Sequence, residues 1–162
     1  MTRFLYLSLL VLAVAGCAGT PPFDTARVTQ DLTPSKVIAQ PVPHLDKMVI
    51  WGGIILDTRN QEDSTQIEVL AYPVNRAQRP SLEESPQGRF IIRHQGYLEP
   101  VTYTQGRRLS VLGKISETQM GKVGDSDYLY PVIDSEQLKL WPEGYRGGNP
   151  RTTFHLGIGV RL

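Results

Sequence analysis

Residues able to do chemistry are few and scattered along this chain. Its three histidines, His44, His94 and His155, fall in separate segments, and no second thiol joins Cys17 to complete a zinc site. Asp125 and Asp127 alternate as calcium-loop ligands do, but no calcium loop closed by a glutamate follows, so they read as turn formers. A nucleophile needs an activating base, yet Gly-x-Ser-x-Gly and a Gly-rich loop ending in Lys-Ser/Thr are both missing from the chain. What is left is a convergence brought about by folding, such as His94 with Glu68 or Glu99. A histidine inside an alternating strand is more often solvated or hydrogen-bonded than a base. No catalytic residue, metal or cofactor is therefore assigned, and the chain reads as a non-enzyme.

Binding chemistry is the next class. Lys and Arg number 17 against 16 Asp and Glu, a net charge of +1, so no long-range field draws in nucleic acid. Arg89, Arg93, Arg107, Arg108 and Lys114 form a basic strip in the sequence. It suits anionic lipid or lipopolysaccharide head groups, or equally the charged strand edges that discourage aggregation. Trp51, Tyr97, Tyr103, Tyr128 and Trp141 suit core packing with a polar edge at the surface, or a shallow groove in which some stack on a ligand.

Cys17 is the one reactive group whose surroundings specify a reaction. Before it come Arg3, an eleven-residue apolar run from Phe4 to Val14, and the small residues Ala15 and Gly16. This is the layout of a secretory signal. A helix rising about 1.5 Å per residue cannot span roughly 30 Å of hydrocarbon with so short a run. Val14-Ala15-Gly16-Cys17 resembles the lipobox of bacterial lipoproteins, in which the thiol receives a diacylglyceryl group before the signal is cut. Acylation also explains why a chain with one cysteine, unable to form an internal disulfide, keeps a thiol in an oxidising compartment. Ala18, rather than aspartate, follows it, which by resemblance to lipoproteins points to the outer membrane.

These groups must be positioned by three segments: a signal peptide (1–16), a lipidated tether (17–46) and a folded domain (47–162). Five of the twelve prolines lie between Ala18 and Asp46, with little hydrophobic periodicity, as in a leash. A coil of about 30 residues has an r.m.s. span of roughly 30 Å. Val37-Ile38 and Val42 are apolar enough to pack.

Past the tether, apolar and polar residues alternate in short stretches. Strands are predicted at Met48–Asp57, Gln66–Val74, Arg89–His94, Leu98–Tyr103, Arg108–Ser116, Tyr128–Asp134, Gln137–Trp141 and Phe154–Leu162. Asn75–Gly88 reads as a loop, and Gly121, Gly124 and Asp125 as a turn. So many short strands without a helical crossover predict an all-β fold: a small antiparallel Greek-key barrel, OB-like, or alternatively an open β-sandwich.

Ordered blocks within this pattern are specific. They include Trp51-Gly52-Gly53-Ile54, the Glu68 strand ending at Pro73, Gln87-Gly88-Arg89-Phe90, Gly96-Tyr97-Leu98-Glu99-Pro100 with Tyr103, Gly106-Arg107, Gly113, Gly124-Asp125, Tyr128 with Pro131-Val132, and Leu140-Trp141-Pro142. Together with the lipobox, they resemble the Slp family of outer-membrane lipoproteins, named for a starvation-inducible member. The resemblance implies a periplasm-facing protein held at the outer membrane by its lipid and linked to envelope stress. Its function is then structural or protective, through contacts with envelope proteins or lipopolysaccharide. The alternative is a tethered binding module for a small molecule, glycan or peptide.

Overall fold

The computed structural model describes residues 20–143. Five strands form its centre: β1 (Met48–Asn60), β2 (Ser64–Tyr72), β3 (Arg89–Gln95), β4 (Arg108–Val123) and β5 (Ser126–Leu140). They close into a barrel in the order β1-β2-β3-β5-β4, with β4 returning to pair with β1. The OB-like barrel is therefore present and the open sandwich is set aside. Four of the pairings are antiparallel, and β3 with β5 is parallel, Ile91 opposite Val132 and Arg93 opposite Asp134.

Alternation explains the wall. In β2, Ile67, Val69 and Ala71 point inward and are buried, while Glu68, Leu70 and Tyr72 face outward. Phe90 and Ile92 of β3, Leu109, Val111 and Ile115 of β4, and Ile133 of β5 join them in one core. Each such side chain contributes about 1.5–3 kcal/mol by leaving water. Curvature comes from register shifts at Ile55/Asp57, Leu112/Gly113 and Ile115/Glu117. Gly53 lies so close to β2 that a Cβ there would overlap the Leu70 carbonyl, which is why this strand carries glycine at its tightest crossing.

Several elements differ from the sequence expectation. Leu98–Tyr103 is a run of turns, not a strand. Pro100 has no N–H for a ladder, Tyr103 N bonds back to Glu99 O, and Val101 is 77% exposed. Tyr128–Asp134 and Gln137–Trp141 are not two strands but parts of the single β5, whose polar Ser135-Glu136 pair holds a bulge opposite Leu112 and Gly113 of β4. β4 runs beyond Ser116 to Val123, and Gly124-Asp125 form the hairpin turn, with Gly124 at φ 58°. The expected signal peptide, the lipobox-like stretch with Cys17, and the strand expected at Phe154–Leu162 lie outside the described residues.

The largest difference concerns the proline-rich segment. From Phe23 to Asp46 it lies against the barrel as a strap. Thr33 Oγ1 accepts from Lys36 N and Pro34 occupies the first turn of helix α1 (Pro34–Ala39), whose Val37 is fully buried in the barrel core. Leu32 and Leu45 pack with it, while Val42 stays exposed. Here the prolines set turns and a helix start rather than an extended leash.

Candidate functional site

The strap is fixed to the barrel by a buried polar clamp. Asn75 closes a tight turn in the β2–β3 connection: its Oδ1 accepts from Ala77 N at 2.9 Å and Arg79 N at 3.1 Å, and its carbonyl accepts from Gln78 N at 2.8 Å. That turn sets Gln78 at φ 59° and points its amide under the strap. There Gln78 Oε1 accepts from Phe23 N at 2.8 Å and Nε2 donates to Phe23 O at 2.9 Å. Gln78 is only 5% exposed, so neither bond has water as a ready substitute.

The clamp continues into β4 and the end of β5. Ser110 Oγ donates to Gln78 O at 2.6 Å, and Trp141 Nε1 donates to Ser110 Oγ at 2.9 Å. The Arg79 guanidinium lies 5.3 Å and the Lys139 ammonium 5.8 Å from the Trp141 ring centre, and Arg107 Nη2 donates to Trp141 O at 3.3 Å. Phe23 follows Cys17 by only six positions. A fully extended chain of that length reaches about 20 Å. Between strap and barrel runs a groove of about 530 Å³, walled by Val28, Leu32 and Trp51 on one side and Pro73, Asn75 and Arg76 on another.

A second, smaller cleft of about 150 Å³ lies on the outer face of β1, β2 and β3, beneath the long β4–β5 hairpin. The Tyr130 ring crosses Gly121 so closely that a Cβ there would sit 2.9 Å from a ring carbon. Tyr130 also packs with Ile91 and Val132 and meets Tyr128 edge-on, at 4.8 Å between ring centres. Its hydroxyl donates to Glu68 Oε1 at 3.0 Å, where Arg89 Nη1 also donates at 2.8 Å, and Tyr128 Oη accepts from Arg89 N at 2.9 Å. Burial, then the Glu68 carboxylate, hold the Tyr130 hydroxyl above its ordinary pKa. The hydrogen bond from Arg89 to Glu68 raises the guanidinium further. Together these contacts tie the hairpin to the barrel wall.

The residues singled out in the sequence are dispersed. Trp51 points into the core, its Nε1 donating to Leu32 O at 2.7 Å and its ring edge-on to Phe90. Trp141 packs on the opposite side of the wall, against the outward Ser110. Tyr103 packs beside the main core, Tyr128 belongs to the hairpin cluster, and Tyr97 is 67% exposed with its hydroxyl donating to Glu99. His94 meets neither Glu68 nor Glu99; its Nδ1 lies 2.8 Å from Ser135 Oγ. The basic strip is divided among ion pairs, Arg89 with Glu68, Arg93 with Glu117 and Asp134, Arg107 with Glu143, and Lys114 with Asp46. Asp127 pairs with Lys122. No group of three or more metal-ligating side chains occurs among the described residues. Sequence reasoning missed Phe23, Gln78 and Ser110, whose one local signal is the turn-forming Asn75.

Residues 14–155 match the profile described as Outer membrane lipoprotein Slp family. A Haemophilus influenzae relative, carried as "Uncharacterized protein", is 30% identical over 139 residues, covering 85% of this chain and 75% of its own. From Escherichia coli, "Uncharacterized lipoprotein YeaY" is 28% identical over 80% of this chain and 62% of its own, and "Outer membrane protein Slp" is 24% identical over 87% and 76%. No solved structure matches the chain.

Proposed function

The chain belongs to the Outer membrane lipoprotein Slp family, and on that premise we propose that lipid on Cys17 holds it at the outer membrane, facing the periplasm. There it serves as a non-enzymatic structural or protective element of the envelope, acting under stress or starvation. The observation that carries this reading is the clamp of Gln78 on Phe23 six positions after Cys17. A barrel locked to its own strap so close to the lipidation point stays within about 20 Å of the anchored residue.

Physical chemistry supports each part. One acyl chain binds a bilayer only marginally, and each buried methylene adds about 0.8 kcal/mol, so the several chains of a lipidated cysteine make attachment durable. The polar side chains beneath the hairpin, Glu68, Arg89 and Tyr130, bond to one another and tie the fold together. Placement at the membrane is then the main functional property of the domain.

The test is complementation. In a strain lacking the protein and stressed by starvation, the wild type restores resistance to detergent, and Cys17→Ser at equal abundance does not. Full restoration by Cys17→Ser would overturn the anchored, structural reading.

A further inference from the structure

We propose that the surface around Trp141, with Arg76, Arg79, Arg107 and Lys139, is the membrane-facing side of the barrel and binds anionic phospholipid headgroups; this rests on the reading of Cys17 as the anchor. Three observations meet there. The first is connectivity: hydrogen bonds run without a break from Phe23 through Gln78 and Ser110 to Trp141, so the side where the anchored chain enters is the side that carries Trp141.

The second is chain length. Phe23 lies at most about 20 Å from Cys17, less than the width of a small domain, so this side cannot be turned far from the bilayer. A weak surface contact made on such a leash becomes intramolecular, and its effective concentration is high.

The third is composition. An indole whose N–H is bonded inward and whose ring is flanked by two cations has the amphipathic make-up of residues at headgroup level. Lys139 is exposed, as is Arg76 on the turn that also carries Arg79, and Arg107 reaches Trp141 through the tryptophan carbonyl. Glu143 pairs with Arg107 at the edge of the patch. Attraction between such cations and an anionic surface decays within a Debye length of about 8 Å, so it acts only on a face held this near.

The chain has two tryptophans, which makes the test internal. Lipidated protein is reconstituted into phosphatidylethanolamine vesicles containing phosphatidylglycerol and a phospholipid spin-labelled on its headgroup, and tryptophan quenching is read. Trp51 sits in the core and serves as the shielded reference. The expected result is quenching in the wild type, its loss in Trp141→Phe, and its reduction by Arg76→Glu with Lys139→Glu or by replacing phosphatidylglycerol with phosphatidylcholine. Protein that floats with the vesicles but shows no quenching of Trp141 would overturn the proposed orientation while the anchor stands. Quenching indifferent to charge reversal and to lipid charge would overturn recognition of anionic headgroups. Protein that does not float would overturn the anchor, and this proposal with it.

Discussion

Gln78 holds Phe23 by both ends of one main-chain unit, accepting from its N–H at 2.8 Å and donating to its carbonyl at 2.9 Å, across 55 positions of sequence. The pairing imitates a sheet ladder with a side-chain amide in place of a strand. It turns a proline-rich lead-in into part of the domain, and it fixes to the barrel a residue only six positions after Cys17.

Gln78→Leu removes both partners of Phe23 from a dry site and should cost roughly 2 kcal/mol, since each unsatisfied buried polar group costs about 1–3 kcal/mol less any relaxation. Urea unfolding reads this as a lower midpoint at an unchanged slope. Faster amide hydrogen exchange confined to the strap would show that the clamp, rather than the core, has opened.

Val37→Ala should destabilise the domain by about 1–3 kcal/mol, because it leaves a cavity where α1 plugs the barrel. A freely moving leash would show no change in the thermal midpoint. Val42→Ala, beyond the end of α1 and exposed, is the matched control and should leave stability within about 0.5 kcal/mol.

Alkaline titration tests the Tyr130–Glu68 contact. Tyr130 has its pKa raised above the ordinary 10.0, first by burial and then by Glu68. Its contribution to stability is therefore fully present below pH 10.0 and is lost as pH rises through the folded value, because the unfolded chain releases this proton first. Unfolding free energy should fall with pH in that window, and Tyr130→Phe should flatten the fall. Tyrosinate absorbance of folded protein should show a late-titrating component, to which Tyr97 also contributes, that is smaller in the variant.

Gly53→Ala should be among the most damaging single changes, about 3 kcal/mol or more, because the new methyl meets the Leu70 main chain, which cannot rotate away. Gly96→Ala provides the contrast: no atom lies near its Cβ, and its φ of 87° makes the cost one of backbone strain, about 1–2 kcal/mol. Equal losses at the two sites by chemical denaturation would contradict the close approach of β1 to β2.

How much of this was legible in the sequence depends on how local the signal is. β2 and the first half of β4 are clear because period-2 alternation is imposed by a wall with one dry face, and Gly124-Asp125 is clear because a two-residue hairpin needs such residues. Leu98–Tyr103 alternates too, yet it pairs with no strand among the described residues, and Pro100 with a local Tyr103–Glu99 bond makes it turn. β5 looked like two strands because Ser135 and Glu136 interrupt its apolar pattern at the bulge opposite Gly113. The strap was hidden because a six-residue helix is shorter than the window in which helical periodicity shows. Of the site, the lipobox resemblance could be read from adjacent residues. The Phe23–Gln78–Ser110–Trp141 chain could not, since each link joins residues far apart in sequence and the types involved carry no motif.

Anchoring depends on what Cys17 carries and on where the mature chain begins. Intact-mass measurement of the protein extracted from outer membranes is the most direct test. A mature chain starting at Cys17, heavier than its sequence by covalently bound acyl groups that map to that residue, is the predicted result. A chain that begins elsewhere, or one that begins at Cys17 with an unmodified thiol, would contradict it.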